Sequence, residues 1–327
     1  MADVPSSEQR LSPAGAEQLG SALAAWIADQ RGVRRELTEL RRIATGHSRA
    51  MWFAVLADGS RYVVRVEQGG VFGTSGASEF EFMRAAAGLG IPVAAARWIE
   101  PTGTVLGQPF FVMDYVEHVS SGREERVVND VVLADFLRQL DALHAVGPAA
   151  FGAVETATPE SVTHAQIDRW AAVYRDAGCG AVPLLDEAAA WLHLHAPVAP
   201  RVGIVHGDPG PGNFLHDGER VVALTDWEFA HLGDPMEDWA FLLLMRGTRQ
   251  ATVEQWRELL RTRLGVEVTD RDLHYWGAMN FFKGACANLS CLRAFAGPNP
   301  APNMAIIGTA LHLANLRTLA GLVATPL

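Results

Sequence analysis

Residues 204–215 read Ile-Val-His-Gly-Asp-Pro-Gly-Pro-Gly-Asn-Phe-Leu, and residues 221–228 read Val-Val-Ala-Leu-Thr-Asp-Trp-Glu. Apolar runs lie on both sides of a loop rich in glycine and proline, and three polar side chains stand out in this pattern. Asp208 lies in the loop, Asn213 follows it five positions later, and Asp226 ends the second apolar run. Each of these residues alone is typical of a turn or a strand end, but the three in this order indicate a functional site.

The chemistry that suits these three side chains is phosphoryl transfer. The spacing His-x-Asp-x-x-x-x-Asn, followed by an Asp on a strand, is that of the protein-kinase catalytic loop and its metal-binding motif. In such a site one carboxylate orients a hydroxyl and accepts its proton, while an amide oxygen and a second carboxylate hold Mg²⁺ against the nucleotide phosphates. Carboxylate and amide oxygens suit Mg²⁺, which keeps phosphate and water as its other ligands. The stretch therefore predicts magnesium-dependent phosphoryl transfer.

Outward from this stretch the chain divides into two parts. Up to Val116 short apolar runs predict strands, and an Asp58-Gly59 pair between two of them is a hairpin signal. After Val116 helical spacing dominates. We therefore expect an α+β fold with a small β-rich nucleotide-binding lobe over 1–117, whose first twelve residues are a disordered tail, and a larger helical lobe over 118–327. The predicted elements include strands at Leu37–Ala44, Met51–Ala57 and Tyr62–Val66, a hairpin over Val105–Val116, and helices at Pro13–Gln30, Glu79–Leu89, Asp130–Ala145, Ala165–Tyr174 and Leu184–His195.

The motifs give a resemblance to a known family. The stretches His206-Gly207-Asp208 with Asn213, Asp226-Trp227-Glu228, and 232–238 (Leu-Gly-Asp-Pro-Met-Glu-Asp) resemble the motifs of the aminoglycoside phosphotransferase-like family, a branch of the protein-kinase-like fold. The resemblance runs over nearly the whole chain from about residue 37 onward. It is especially close to the branch fused to some acyl-CoA dehydrogenases, whose metal motif is likewise Asp-Trp-Glu. It implies a two-lobed kinase-like fold, ATP and Mg²⁺ as cofactors, Asp208 as the catalytic base, and Asn213 and Asp226 as metal ligands.

Asp234 and Asp238 lie where the Gly-Asp-Pro pattern predicts the start of a helix. Asp234 suits the N-cap, and Pro235 suits the first helical position. Asp238 in the first turn favours the helix dipole, and it is also placed to brace the catalytic loop. We expect structural roles for both.

The nucleotide side of the site is less strongly marked. Residues 44–50, with Gly46 and Ser48, lie between two predicted strands where the resemblance places a phosphate-binding loop, although a single glycine is a weak signal for such a loop. The resemblance also makes Met113 to Tyr115 the hinge between the lobes, whose backbone meets the adenine edge. The expected nucleotide is ATP, and the sequence does not distinguish it from GTP.

The cation on the phosphates is expected to be an arginine. Of the 27 basic side chains only Lys283 is a lysine, and Gly284 and Ala285 after it exclude the Gly-Lys-Ser/Thr loop of Walker-type NTPases. On the third predicted strand, Arg65 occupies the position where the kinase pattern has lysine. A guanidinium stays charged and can bind phosphate oxygens through two donors. Its expected partner is Glu79 on the following helix.

The acceptor is expected to be a small molecule with a hydroxyl group. Residues 273–327 contain neither Asp nor Glu, whereas kinases that bind polycationic aminoglycosides line their C-terminal helices with carboxylates. A neutral, apolar or anionic alcohol, such as a hydroxyacyl thioester or a lipophilic natural product, therefore fits better. Trp276 and Lys283 are the candidates for the acceptor site. The alternative for Lys283 is a surface lysine whose stem lies along an apolar helix.

Two other classes of function stay open. A nucleotide-binding pseudokinase or regulatory protein would bind Mg-ATP without transferring phosphate. An α/β-hydrolase would use Ser48, because residues 46–50 (Gly-His-Ser-Arg-Ala) nearly match the Gly-x-Ser-x-Gly elbow. That elbow needs a helix after the serine, whereas residues from Met51 onward predict a strand.

Composition bounds the partners and the compartment. A net charge of −10 and the lack of a lysine-rich patch argue against nucleic-acid binding. No uncharged apolar run approaches the roughly 18–20 residues of a membrane span, and residues 1–8 do not resemble a secretory signal. Three cysteines, Cys179, Cys286 and Cys291, predict free buried thiols. The expected location is the cytoplasm, and the sequence gives no indication of the oligomeric state.

Overall fold

The computed structural model describes residues 13–43, 49–67, 72, 74–121, 127–153, 155–297 and 302–327. The predicted tail over 1–12, and Gly46 and Ser48 in the predicted phosphate loop, lie outside these residues. The described chain forms a small antiparallel sheet followed by a larger helical part, which confirms the predicted α+β fold class.

One sheet forms the N-terminal lobe. Its strands are β1 (Leu37–Ile43), β2 (Arg49–Leu56), β3 (Arg61–Glu67), β4 (Ala96–Glu100) and β5 (Phe110–Asp114). They pair antiparallel in the order β1-β2-β3-β5-β4. The predicted Asp58-Gly59 hairpin joins β2 to β3: Gly59 has a φ of +83°, and the Ser60 amide donates to Asp58 Oδ1 over 3.1 Å. Glycine adopts this left-handed conformation without a Cβ clash.

Helices cover the sheet and make β3 a central, buried strand. They are α1 (Pro13–Arg31) and α2 (Gly76–Gly88). Leu23 of α1 lies in a core cluster with Val64 of β3, and Phe80 of α2 packs edge-on against Phe111 of β5 with ring centroids 5.9 Å apart. The apolar run of β3 therefore brings Arg65 into the interior, where a free charge would be costly.

The second predicted hairpin is displaced. We expected both of its strands within Val105–Val116, but β5 pairs with β4, which ends at Glu100. The segment between them is a loop in which Gly103 and Gly107 have φ values of +74° and +77°. The Glu100 carboxylate accepts a hydrogen bond from the Thr102 amide over 2.9 Å and starts this loop. These turns prevent a strand from beginning at residue 105.

The C-terminal lobe is mostly helical. Its helices are α3 (Asp130–His144), α4 (Val162–Asp176), α5 (Pro183–His195), α6 (Met236–Phe241), α7 (Val253–Leu264), α8 (Asp270–Phe295), α9 (Pro302–Ile306) and α10 (His312–Val323). A π-helical turn, Leu242–Arg246, continues α6, and another, Ile307–Leu311, joins α9 to α10. The longest helix, α8, lies at the centre of this lobe and contacts α4, α5, α6 and α10.

Short strands carry the segment of the predicted site. They are β6 (Gly203–Val205), β7 (Phe214–His216), β8 (Val221–Leu224) and β9 (His231–Gly233), paired antiparallel as β6 with β9 and β7 with β8. We expected one β-like pair over 202–226, so the structure adds the strand that follows Asp226. The pairing of β6 with β9 brings the two ends of the motif region together.

The thiols are free, as predicted, but they are not all buried. Cys286 and Cys291 lie inside α8, whereas Cys179 is exposed. Cys179 lies between Gly178 and Gly180, whose φ values of +65° and +87° turn the chain after α4. This turn places the third thiol at the surface.

One helical stretch in the described residues has the length and composition of a membrane span. It is Asn303–Val323, with a mean hydropathy of 1.3 over its most apolar window, of which 17% is buried. The stretch packs against α8, and within it His312 Nδ1 lies 2.9 Å from the carbonyl oxygen of Ala285.

Candidate active site

The predicted catalytic loop, residues 206–213, lies between β6 and β7, and two of its glycines adopt conformations that other residues rarely adopt. Gly207 has a φ of +83°, and a Cβ there would lie 2.7 Å from the carbonyl oxygen of Phe229. Gly210 has a φ of +141°, and a Cβ there would lie 2.5 Å from Cβ of Arg246. Only glycine fits these conformations and close approaches, so the Gly-rich sequence is what lets the loop fold back over Asp208.

Asp208 and Asn213 face each other inside this loop. Asn213 Nδ2 donates to the backbone oxygen and to Oδ2 of Asp208, both over 2.8 Å. Asn213 is 2% exposed, and its Oδ1 is buried without a hydrogen-bond partner in the described part of the chain. Because an unmet buried acceptor costs free energy, this amide oxygen is available to a ligand that the protein itself does not provide.

Asp226 follows β8 in a left-handed conformation. Its φ is +66° and its ψ is 56°, which is strained for a residue with a Cβ. This turn directs the chain into the short helix Trp227–Phe229, and Asp226 Oδ1 accepts from Nη2 of Arg65 over 3.1 Å. Burial alone would raise the pKa of Asp226, but the Arg65 guanidinium outweighs it and holds this pKa below the usual range. The carboxylate therefore stays ionised.

Arg65 joins the two lobes. Its Nε lies 2.9 Å from Glu79 Oε1 on α2, and its Nη2 lies 3.9 Å from Glu228 Oε2 in addition to the bond with Asp226. Burial would lower the pKa of Arg65, but the carboxylates of Glu79, Asp226 and Glu228 raise it instead. The predicted pairing of Arg65 with Glu79 is confirmed. The third donor of Arg65, Nη1, contacts the Sδ of Met51 at 3.6 Å. Because a thioether sulfur is a weak acceptor, Nη1 can still form a stronger hydrogen bond with a ligand.

Arg246, which was not among the predicted site residues, binds the Asp208 carboxylate. Arg246 Nε donates to Asp208 Oδ1 over 2.7 Å, and its Nη2 bonds to Oδ2 of the same carboxylate. Burial would lower the pKa of Arg246, but the hydrogen bonds and charge of Asp208 raise it. The guanidinium reaches Asp208 because a π-helical turn ends at residue 246. No motif spacing connects the two residues, so only the fold reveals the pair.

Asp238 braces the catalytic loop from below, in agreement with its predicted structural role. Its Oδ2 accepts from the His206 amide over 2.7 Å, and its Oδ1 accepts from the Gly207 amide over 2.8 Å. His144 Nε2 lies 2.8 Å from Oδ2. Burial would raise the pKa of Asp238, but the bond from His144 outweighs it, and this pKa is lowered.

Asp234 lies one residue earlier relative to α6 than predicted, because Pro235 is the N-cap and Met236 the first helical residue. Asp234 Oδ1 accepts from the Met236 amide over 2.9 Å. Burial raises the pKa of Asp234 to about 6, and the negative charges of Glu237 and Asp272 add to this effect.

Lys283 does not lie at an open acceptor surface, and the alternative of a surface lysine is also wrong. The side chain is 5% exposed, and its Nζ donates to the Gly207 carbonyl oxygen over 2.8 Å and to Glu237 Oε1 over 2.6 Å. Burial would raise the pKa of Glu237, but the Lys283 charge lowers it. Lys283, the only lysine of the sequence, therefore lies beneath the catalytic loop, paired with the buried Glu237 carboxylate of α6. The other acceptor candidate, Trp276, is 2% exposed and packs edge-on against Tyr275 in the core of α8.

Comparison with known proteins agrees with this geometry. Residues 39–276 match the model of the phosphotransferase enzyme family. The chain belongs to this phosphotransferase family. A curated relative, acyl-CoA dehydrogenase family member 10 of Mus musculus, is 26% identical over 274 residues, which cover 76% of this chain and 26% of the relative. The chain thus spans about a quarter of that relative's length.

Solved structures share the architecture. Aminoglycoside phosphotransferase APH(4)-Ia with ADP and hygromycin B has a TM-score of 0.64 at 15% identity, covering 93% of this chain and all of that one. Macrolide 2'-phosphotransferase type I has a TM-score of 0.60 at 20% identity, covering 94% and 98%. At these identities the likeness concerns the fold. It confirms the kinase-like architecture, and the resemblance inferred from the motifs is confirmed with it.

The predicted hinge, from Met113 to Tyr115, lies at the end of β5 in the N-terminal sheet. Met113 pairs with Val63 near the end of β5, and Tyr115 lies where the chain leaves the sheet, its amide donating to the Arg61 carbonyl oxygen over 3.0 Å. The adenine contact of this segment stays a prediction. So does the phosphate loop with Gly46 and Ser48, whose flanking strands meet where Ile43 pairs with Met51.

The hydrolase alternative does not agree with the fold of the phosphotransferase. The elbow requires a helix directly after the nucleophile. The strand β2 begins at Arg49, one residue after Ser48, and runs to Leu56. The serine therefore precedes a strand.

The donor set fits Mg²⁺. Asn213 supplies a buried unpartnered oxygen, and Asp226 supplies a carboxylate kept ionised by Arg65. These are hard oxygen ligands, as Mg²⁺ prefers. Among the described residues no group of three or more His, Cys, Asp or Glu could hold a metal.

Proposed function

We propose that this phosphotransferase moves the γ-phosphate of ATP, bound with Mg²⁺, to a hydroxyl group of a small molecule. The observation that carries the proposal is the pair of polar groups without good protein partners in the cleft. They are Oδ1 of Asn213, which is buried without a partner, and Nη1 of Arg65, which contacts the Sδ of Met51 at 3.6 Å. One is an oxygen suited to a cation and the other a donor suited to an anion. A magnesium–nucleotide complex supplies both.

The reaction follows from the side chains of the loop. The Asp208 carboxylate accepts the proton of the acceptor hydroxyl as its oxygen attacks the γ-phosphorus, and the bond to the β-phosphate oxygen breaks to release ADP. Asn213 and Asp226 would hold Mg²⁺, which supplies neutralisation of the phosphate charge when bound. Arg65 adds a second positive charge. Catalysis beyond proton transfer is then positioning and charge neutralisation.

The surroundings of Asp208 favour a neutral or anionic acceptor. The hydroxyl must reach Asp208, and the guanidinium of Arg246 lies against that carboxylate at 2.7 Å and is one-third exposed. A polycationic amino sugar would meet this positive charge at the reacting carboxylate, whereas a carboxylate, phosphate or thioester carbonyl of the acceptor would be attracted to it. This charge adds to the argument from the absence of Asp and Glu in residues 273–327, and Arg246 replaces Lys283 as the cation expected near the acceptor.

A transfer screen tests the proposal. The purified chain is incubated with Mg-ATP and aminoglycosides, macrolides, hydroxyacyl-CoAs and simple sugar alcohols, and ADP release and phosphorylated product are measured. We expect transfer to a neutral or anionic alcohol. Preference for a cationic amino sugar would contradict the acceptor class. Saturable Mg-ATP binding without transfer to any hydroxyl would favour the pseudokinase alternative.

A matched pair of variants shows whether the measured transfer belongs to this site. Asp208→Asn should reduce transfer by about 10²–10⁴-fold, because general-base catalysis contributes this much. Asp168→Asn changes an aspartate that is 73% exposed on α4 and should leave transfer unchanged. Equal activity of both variants would mean that another site, or a contaminant, transfers the phosphate.

A further inference from the structure

A pocket of about 460 Å³ lies between α2, α4 and the segment that follows Asp226. The first turns of α2 line one wall, Gln166 and Arg169 of α4 line the opposite wall, and residues 227–232 close the inner end. Asp208, Asn213 and Arg246 do not line it. The pocket is thus next to the proposed nucleotide site but apart from the carboxylate that would receive the acceptor proton.

Gln166 brings an unmet hydrogen-bond acceptor into this pocket. The side chain is 9% exposed, and its Oε1 is buried with no hydrogen-bond partner in the described residues. Buried amide oxygens in folded proteins nearly always have a donor. A ligand with a hydroxyl or an N–H group in the pocket would supply the missing donor.

Arg169 brings an unpaired positive charge to the same wall. It follows Gln166 by three positions, so the two side chains lie on one face of α4. Its guanidinium carbon lies 5.0 Å from the ring centroid of Trp170, and no carboxylate lies within 4.0 Å of it in the described part of the chain. Burial lowers the pKa of Arg169, and the distant charge of Glu237 only partly opposes this.

The other buried or half-buried cations near the cleft are all paired. Arg65 has Glu79 at 2.9 Å, Lys283 has Glu237 at 2.6 Å, and Arg246 has Asp208 at 2.7 Å. Arg169 departs from this pattern, and it does so where it lines a pocket. An anionic group in the pocket would give Arg169 the kind of partner that the other three have.

The remaining lining indicates the rest of the ligand. Phe82, Trp227 and Leu232 supply apolar surface. Glu79 and Glu228 also line the pocket, and Arg65, which lies 2.9 Å and 3.9 Å from their carboxylates, offsets part of their charge while it also pairs with Asp226. The anionic group of a ligand is therefore expected at the Arg169 wall, away from Glu79, and its apolar body beside Trp227.

We propose that this pocket is a second ligand site, which binds a small organic anion through Arg169 and Gln166. The ligand carries a carboxylate or a phosphate group for Arg169, a hydroxyl or N–H donor for Oε1 of Gln166, and an apolar body for Trp227. Because Glu79 both lines the pocket and holds Arg65, ligand binding and nucleotide binding influence each other, and the influence is reciprocal.

Calorimetric titration of the full chain tests the site with defined probes. The probes are 3-(4-hydroxyphenyl)propanoate and phenyl phosphate, and the neutral control is 3-(4-hydroxyphenyl)propanamide. We expect saturable binding of at least one anion, with the amide weaker by about tenfold or more, because a charge-assisted bond to a guanidinium is lost. The probe with the lower dissociation constant shows whether the site prefers a carboxylate or a phosphate group.

Variants locate the binding. Arg169→Met keeps an unbranched apolar stem, removes the guanidinium and should weaken binding of the anion about tenfold, and Gln166→Leu should weaken it less. Arg175→Met, on the same helix with a side chain 63% exposed, is the control and should bind the probe as the unchanged chain does. The amide comparison on the unchanged chain needs no variant, so the proposal stays testable if Arg169→Met does not fold.

Several results would overturn the site. They are the absence of saturable binding of both anions up to about 10 mM, equal binding of the anions and the amide, or equal affinity in Arg169→Met. Mutually exclusive binding, with no ternary complex of the chain, the probe and either Mg-AMP-PNP or a phosphorylated acceptor at saturating concentrations, would place the anion in the catalytic cleft and also contradict a separate site. A limited change in affinity is the coupling expected of two neighbouring sites. These measurements record binding only, so their outcome is independent of whether phosphate is transferred.

Discussion

The two sides of the catalytic loop differ in how their polar groups are satisfied. Below the loop, Asp238 accepts from the amides of His206 and Gly207, and Lys283 donates to the Gly207 carbonyl oxygen. On the cleft side, Oδ1 of Asn213 is buried without a partner in the described chain.

This difference distinguishes the two residues that hold the loop from the residue that faces the cleft. Asp238 and Lys283 are paired within the protein, because an unmet buried polar group costs free energy. Other buried atoms of the described chain, such as His144 Nδ1 and Asn280 Oδ1, also have no partner. Oδ1 of Asn213 keeps its bonding capacity for the proposed ligand. Strained backbone at Asp226, with a φ of +66°, belongs to the cleft side as well. Breaking each side separately should therefore give different losses.

The largest loss of stability is expected from the lower side. Lys283→Met leaves the Glu237 carboxylate buried without its 2.6 Å partner, and removing one member of a buried pair costs about 3–5 kcal/mol. Urea unfolding of the variant measures this loss. Adding Glu237→Leu removes the uncompensated charge and should restore much of the stability. A loss below about 1 kcal/mol, the size of an exposed pair, would contradict the bracing role.

The next effect is a gain of stability with a defined pH dependence. Burial raises the pKa of Asp234 to about 6 from its usual 3.8, so the folded chain binds this proton more tightly than the unfolded chain. Stability should therefore fall as the pH rises from about 4 to about 6. Asn at this position keeps an oxygen for the Met236 amide but cannot ionise. Asp234→Asn should raise the free energy of unfolding at pH 8 by up to roughly 3 kcal/mol.

The control for this pH effect is Asp270→Asn, which changes a side chain that is 95% exposed. At pH 4 the Asp234→Asn variant should match the unchanged chain, because Asp234 is then protonated in the folded state. If Asp234→Asn were less stable than the unchanged chain at pH 8, the ionised Asp234 would be stabilising, and the predicted fall of stability with rising pH would be wrong.

A smaller effect is expected on the cleft side from Arg65→Lys. The planar guanidinium of arginine has separate N–H donors for Glu79, Asp226 and a phosphate. The ammonium group of lysine keeps the charge, but it cannot bind all three at once. Nucleotide affinity should fall about tenfold, equal to about 1.4 kcal/mol, while the free energy of unfolding changes less. Arg138→Lys, on α3 with a side chain 66% exposed, is the matched control. Unchanged nucleotide affinity in Arg65→Lys would mean that Arg65 is only a structural link between the lobes.

The sequence predicted those parts of the site that are encoded in short segments. Asp208, Asn213 and Asp226 lie within 19 residues of one another, and strand and loop signals around them locate them in space. The pairing of Arg65 with Glu79 was predictable from the resemblance, which places a cation on the third strand and its acidic partner on the next helix. The Asp58-Gly59 hairpin was predictable because its turn is local.

The parts of the site that could not be predicted depend on contacts between residues far apart in the sequence. Arg246 reaches Asp208 across 38 positions through a π-helical turn that has no sequence signature here. Lys283 reaches the Gly207 carbonyl oxygen across 76 positions, and its acceptor role was inferred from composition without knowledge of Glu237 beneath the loop. The composition of the C-terminal segment could not show which side of α8 faces the interior.

The most direct test of the proposed reaction compares two measurements on Asp208→Asn, namely the single-turnover rate of phosphate transfer and the dissociation constant for Mg-ATP. The account predicts that transfer falls by about 10²–10⁴-fold, while Mg-ATP affinity stays within about threefold of the unchanged chain, because Asn213 and Asp226 would still hold the metal. Transfer at the rate of the unchanged chain, with the same affinity for Mg-ATP, would contradict the role of Asp208 as the base.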